Sequence, residues 1–217
     1  MRRRAILSAA RSLLAEVATD QVSLTALALR SGISKANVYR YFESREEVLL
    51  QVWVEEVREL TRRLEADLAT VPTGDVDGVS EVIVAAFEAQ PKLCELTSIV
   101  SPVLERNLSA EAILSAKQTL AELTLQLGRL LHERLPAVSF EDCCWVSGVV
   151  GVYVAGVWPA VHPPAAAKEV LARPELAAMQ PDFKRDLKRL LQVVFTGLVF
   201  GARLGRPRQL PTKKSHH

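Results

Sequence analysis

Between Leu24 and Phe42 the chain reads LTALALRSGISKANVYRYF, two short amphipathic stretches hinged on one glycine. Leu24, Leu27 and Ala28 fall at i, i+3 and i+4 and make one apolar helical face. Gly32 follows that face, at the place where a helix closes on a left-handed residue. Ser34 then caps a second helix, its hydroxyl accepting from a free N–H of the first turn. Val38 and Phe42, four apart, point inward. At about 100° per residue, Ala36 and Arg40 lie nearly opposite Val38, with Asn37 and Tyr39 on the flanks. The outward side carries Lys35, Ala36, Asn37, Tyr39 and Arg40, and no acid follows until Glu43. Such a side chain set suits the DNA major groove: Arg or Lys to guanine, Asn to adenine, a methyl against thymine.

The run Asn37-Val38-Tyr39-Arg40-Tyr41-Phe42, followed by Ser44-Arg45-Glu46-Glu47-Val48-Leu49-Leu50, resembles the N-terminal domain of the tetracycline-repressor (TetR) family. The likeness covers about residues 5–52 and rests on helix lengths, turn glycine, Tyr-x-x-Phe spacing and the following helix start together. It implies a DNA-reading head with a larger helical body for ligand binding and dimerisation. In that reading Lys35, Ala36, Asn37 and Arg40 read bases. Thr25, Ser34, Tyr39, Tyr41 and Arg45 hold phosphates, which positions the protein without specifying sequence.

The rest of the chain fits an all-α plan: a three-helix helix-turn-helix domain over 1–45, a helical ligand-binding and dimerisation domain over 46–205, and a disordered basic tail over 206–217. Glycines number 10 and aromatics are 6% of residues, so the core is mostly Leu, Val and Ala. The net charge of +2 is unevenly placed: residues 1–50 carry eight basic against five acidic residues, and 203–217 carry five basic and none acidic. A basic end on an acidic body suits one DNA-facing end. Arg2, Arg3 and Arg4 precede the first apolar face (Ile6, Ala10, Leu13, Val17), either as phosphate contacts or as a plain basic tail.

Ser44 to Glu47 form a capping box that starts a long helix to about Thr70, linking head to body. Further helices are expected over about 76–90, from Pro91 to about Leu108, from a Ser109 cap to Leu135, from a Ser139 cap to Trp158-Pro159, and over 182–204. The last two long segments are apolar on two sides, where a surface helix needs one stripe. One stripe over 182–204 is Leu187, Leu191, Val194, Leu198 and Gly201; the other is Leu190, Val193, Gly197, Phe200 and Leu204. The resemblance implies a two-fold dimer built on these helices, for which Gly148, Val152 and Ala155 with Leu187, Leu191, Val194, Leu198 and Gly201 are the candidates. A dimer sets two recognition helices about 34–36 Å apart along the duplex.

The resemblance also implies a ligand pocket in the body. Its candidate walls are Trp53, Phe87, Leu96, Ile99, Val103, Trp145 and Tyr153, with Thr97, Asn107, Gln118 and Thr124 as polar contacts. Such walls suit a small hydrophobic effector. The expected function is a homodimeric, ligand-responsive repressor released from a palindromic operator. The alternative, a helical ligand-binding protein or enzyme with an incidental helix-turn-helix, needs polar groups converging in the pocket.

No catalytic motif is expected from this sequence, and no cofactor or metal. Cys94, Cys143 and Cys144 make no disulfide framework and read as small hydrophobes in a reducing cytoplasm. The apolar run Trp145–Val161 falls short of the roughly 20 residues a membrane span needs, so no membrane partner is expected. Arginines outnumber lysines 19 to 8, as in a GC-rich bacterial genome.

Overall fold

A computed structural model describes residues 2–203. Met1 and 204–217 lie outside it, and with them Leu204, Gly205 and the basic tail expected over 206–217. Ten α-helices follow one another: α1 (Arg2–Glu16), α2 (Leu24–Ser31), α3 (Lys35–Tyr39), α4 (Arg45–Leu68), α5 (Val76–Glu88), α6 (Pro91–Ile99), α7 (Ala110–Arg134), α8 (Phe140–Val161), α9 (Ala165–Leu171) and α10 (Phe183–Arg203). No strand occurs among the described residues.

Capping side chains set most of the helix starts. Ser23, Ser34, Ser44, Asp75, Ser109 and Ser139 each accept from the N–H three residues on. Two starts lack a serine or aspartate cap: Pro164 precedes α9 without a side-chain bond, and Pro91 opens α6 at a position where a missing N–H costs nothing. At Ser44 the reciprocal half of the box reaches one residue further back, with Glu43 N–H donating to Glu47 Oε2 at 2.7 Å.

Three expected boundaries move, each for a backbone reason. The helix begun at Pro91 does not run on to Leu108. It widens to a π-helix over Val100–Leu104 and tightens to a 3-10 turn over Glu105–Asn107. Pro102 has no N–H for the α ladder, and its ring would clash with the carbonyl four residues back in a regular helix. Pro159 does not end α8, which continues to Val161, with His162 N–H bonding Trp158 O at 3.1 Å. The recognition helix is regular only to Tyr39. Tyr41 and Phe42 N–H still bond Val38 O in a terminal turn, at 3.0 and 3.1 Å.

Two cores form. The smaller gathers Ile6, Leu13, Leu27, Val38, Phe42 and Val48–Leu50 around the first three helices, and Leu96, Val100, Leu104 and Ala116 join it from the body. The larger joins the second half of α4 to α5, α7, α8 and α10, with Cys94 and Cys143 fully buried in it. Trp53 packs against both cores. Burial pushes the Cys94 and Cys143 thiols up to about 12. Helix α8 is long and apolar enough to cross a membrane, and 22% of its most apolar window is buried inside the chain.

Candidate nucleic-acid interface and effector cavity

Gly32 adopts φ 67° and ends α2, while Ile33 N–H bonds Ala28 O at 3.2 Å, closing the helix in a left-handed cap. The turn seats Ser34 as the N-cap of α3, where its Oγ accepts from Asn37 N–H at 3.4 Å. Val38 and Phe42 are fully buried and fix the rotation of α3. That rotation leaves Lys35, Ala36, Arg40, Tyr39 and Tyr41 exposed and Asn37 half-buried. Among the described residues, no hydrogen bond or ion pair engages the side chains of Lys35, Asn37, Tyr39, Arg40 or Tyr41. A cluster of free donors on a rigidly capped helix is what groove reading requires. Thr25 is exposed on the first turn of α2.

Arg45 stands apart from that cluster. Its side chain is half-buried, Nη1 donates to Asp20 O at 3.3 Å, and Nε lies 3.9 Å from Glu46 Oε1. It therefore fastens the Thr19–Gln21 turn to the start of α4. The arginines of the N-terminus are also ordered: all three lie in the first turn of α1, and Arg3 stacks 5.0 Å over the Phe42 ring. The head is further braced by Arg30, which bonds Glu16 through both guanidinium nitrogens at 2.7 and 2.6 Å.

Behind the head, α4 runs 24 residues into the body. There it walls a cavity of about 150 Å³ with α5, α6, α7 and α8. Of the eleven candidate wall residues, Trp53, Phe87, Thr97 and Thr124 line it. The other seven do not. Leu96 and Ile99 turn into the smaller core, and Tyr153 packs on the outside of the larger one. Val103, Asn107, Gln118 and Trp145 are exposed. Gln118 and Trp145 share helices with the true lining but lie on other faces, while Val103 and Asn107 fall in the π-helix and 3-10 turn beyond α6, which line nothing. The sequence reading missed Thr61 and Ser147, and most of the apolar wall. A signal existed: Trp53, Val57 and Thr61 repeat at i+4, as do Ser147 and Gly151.

On the proposed pairing face the structure corrects one stripe. Leu187, Leu191 and Leu198 are 0%, 1% and 6% exposed, already buried in the chain's own core and without surface to offer a second copy. Val194, Gly201 and Ala155 are half-buried, and Gly148 is open. The outward apolar residues of α10 are instead Val193 and Phe200, 64% and 62% exposed. Val152 and Trp145 of α8 stand out beside Gly148 and Gly156, at 77% and 51%. Both stripes of α10 are apolar, so periodicity alone did not say which one faces inward.

Head and body also meet through α6. Glu95 accepts from the Thr19 hydroxyl and pairs with Lys92 at 2.8 Å. Burial alone raises the Glu95 carboxyl, but those two partners outweigh it and hold it below its ordinary value.

Two family models match the chain. One, described as bacterial regulatory proteins of the tetR family, matches residues 6–52. The other, described as a tetracyclin repressor-like C-terminal domain, matches residues 50–201. Among solved structures, Thermus thermophilus FadR, a TetR-family repressor in complex with lauroyl-CoA, is 15% identical. It covers 99% of this chain and 100% of its own, with a TM-score of 0.61. AlkX of Dietzia sp. strain DQ12-45-1b, a TetR-family repressor implicated in biodegradation of n-alkanes, is 16% identical over 91% and 95%, with a TM-score of 0.59. FadR of Bacillus subtilis, in complex with stearoyl-CoA, is 17% identical over 91% and 98%, with a TM-score of 0.53. No curated protein matches the sequence.

Proposed function

The chain belongs to the TetR family of bacterial regulatory proteins, and from that premise we propose how this ligand-responsive DNA-binding repressor divides its work. Residues 1–45 form the reading head, in which Lys35, Ala36, Asn37 and Arg40 address base edges. Thr25, Ser34, Tyr39 and Tyr41 address phosphates. Residues 46–205 carry the cavity and the pairing face. Arg45 acts one step back, holding the Thr19–Gln21 turn against α4.

Two copies pair through the outward stripe Val193–Gly197–Phe200 of α10 and Trp145–Val152–Gly156 of α8. The uncovered apolar surface supports this, since apolar patches of this kind mark interfaces. Pairing sets the two α3 helices one turn of DNA apart, about 34–36 Å, on a palindromic operator in the cytoplasm. The effector is a hydrophobic small molecule. The apolar cavity supports that, and so do relatives whose ligands are fatty acyl-CoAs or whose role concerns n-alkanes.

One observation carries the reading: α4 runs unbroken from Arg45, next to the recognition helix, to Leu64 on the cavity wall. A ligand that prefers one tilt of α4 changes the separation of the two heads. It acts only by differential affinity for the two arrangements. The test is selection of bound DNA from a random pool, followed by titration of the enriched site. Asn37→Ala should weaken the enriched site and leave random DNA nearly unchanged. Arg4→Ala, at an exposed cation off the recognition helix, should not narrow the difference between the two DNAs. Equal losses from Asn37→Ala on both DNAs would remove α3 as the reader.

A further inference from the structure

The cavity is apolar in area, yet five polar groups face it, and all five are already engaged. Thr61, Thr97, Thr124 and Ser147 each donate their hydroxyl proton to the carbonyl four residues earlier in their own helix. The distances are 2.9, 2.7, 2.8 and 3.0 Å. The Trp53 indole N–H donates to Thr97 Oγ1 at 2.9 Å. Among the described residues, no lining side chain is charged. The wall therefore offers lone pairs and no free proton. A ligand hydroxyl gains a full hydrogen bond here by donating to one of these oxygens. A ligand acceptor gains nothing net, because a wall hydroxyl that turned inward to meet it would abandon its own carbonyl. An ionised group entering this space has no counter-charge among the described residues, and a buried charge left unpaired is strongly unfavourable.

Size narrows the class further. The cavity measures about 150 Å³. An apolar cavity of about that size takes a single benzene ring. We propose that the effector site, read as such above, takes an uncharged molecule of single-ring or short-chain size that donates one hydrogen bond, the chemistry of an alkylphenol or a short-chain alcohol. Carboxylic acids of the same shape are rejected by the absence of any cation or free donor, and not by size.

Calorimetric titration of the full chain with four probes tests this: 4-ethylphenol, ethylbenzene, 4-ethylbenzoate and lauroyl-CoA. The phenol should bind about 5-fold more tightly than ethylbenzene, the net worth of one hydrogen bond. The benzoate should bind at least about 100-fold more weakly than the phenol, since its charge would sit unpaired. Gly151→Leu should abolish phenol binding. Gly151 lines the cavity and an added Cβ there meets nothing within 4 Å, so the larger side chain fills the space without a clash at its root. At least one of Thr61→Val, Thr124→Val and Ser147→Ala should erase the advantage of phenol over ethylbenzene while leaving ethylbenzene binding intact.

Benzoate binding as well as phenol, lauroyl-CoA binding more tightly than phenol, unchanged phenol binding by Gly151→Leu, no effect from any hydroxyl variant, or no binding of the phenol each overturns the assignment. The same probes added to the protein–DNA complex separate the two readings. If 4-ethylphenol binds and the DNA stays bound, release by effector fails while the cavity assignment stands.

Discussion

Replacing Gly32 with alanine isolates one term in the stability of the reading head. Gly32 sits at φ 67°, and a Cβ built there meets no atom within 4 Å. Gly32→Ala therefore adds no clash, and its effect is conformational alone. A left-handed backbone costs an L-residue about 1–2 kcal/mol. Alanine also narrows the unfolded ensemble, which returns about 0.4–1 kcal/mol. The net loss is about 1 kcal/mol, or roughly a fivefold fall in the folded-to-unfolded ratio. Asparagine tolerates the left-handed region far better, so Gly32→Asn should lose less than half as much. Gly74, at φ 88° and also in open space, supplies a second site, in the exposed turn between α4 and α5, where alanine should behave alike. Urea unfolding followed by circular dichroism gives the free energies. Hydrogen exchange at the amides of residues 24–42 shows whether the loss at Gly32 is local to the head. If Gly32→Ala proves neutral, or if alanine and asparagine lose equally, the left-handed cap is not what holds the turn.

Gln90 is 7% exposed, and neither its Oε1 nor its Nε2 has a partner among the described residues, so Gln90→Leu should stabilise the body by about 1–2 kcal/mol in urea unfolding. Introducing Glu at both Val193 and Phe200 should turn a dimer into a monomer in analytical ultracentrifugation. An unchanged sedimentation coefficient would move the pairing face elsewhere. Lys188 bridges Asp77 and Glu81 at 3.2 and 2.8 Å and holds both carboxyls below their ordinary values of 3.8 and 4.5. Depressed carboxyl values give stability that is present above the ordinary values and lost as pH falls through the depressed ones. The Tm of the native chain should thus fall more steeply than that of Lys188→Met from about pH 5 to about pH 2.

Local signals were the legible ones. The turn at Gly32, the caps at Ser34, Ser44, Ser109 and Ser139, and the inward pair Val38–Phe42 depend on neighbours within a few residues, and the sequence carries those neighbours. The cavity wall was less legible because it joins faces from five helices, and a one-dimensional pattern does not say how each helix is rotated against the others. Trp145 and Leu96 illustrate this: both sit on apolar helices near the cavity, yet one points to solvent and the other into the reading head. On α10 the difficulty was degeneracy, since Leu187–Leu191–Leu198 and Val193–Phe200 are equally apolar and only the packing of α5 and α8 chooses between them. The role of Arg45 was hidden for a third reason, as its partner is a backbone carbonyl 25 residues away.

How far a small ligand can move such a protein is a question of magnitudes. A 100-fold release from DNA needs about 2.8 kcal/mol of differential affinity, at about 1.4 per tenfold. The hydrogen bond from Trp53 to Thr97 is the polar link across the cavity nearest the head. A neutral hydrogen bond is worth about 0.5–1.5 kcal/mol net, so breaking it is too little by itself. The remaining leverage lies in α6 and the π-helix after it. Leu93 lines the cavity, while Leu96, Val100 and Leu104, within the next three turns, are buried in the core of the head. A fully buried aliphatic side chain contributes about 1.5–3 kcal/mol, so a ligand that shifts this segment and half-uncovers two of these residues reaches the required scale. Pro102, which already breaks the regular ladder there, lowers the resistance to such a shift. Two substitutions therefore rank in a definite order. Thr97→Val removes the Trp53 link together with the bond Thr97 donates to Leu93 O, leaves the packing of α6 in place, and should change the ligand-induced release ratio by less than about tenfold. Leu96→Ala loosens the grip of α6 on the head and should reduce that ratio more, when both are measured by DNA titration with and without ligand. The opposite order would assign the coupling to the hydrogen bond and take it away from the packing of α6.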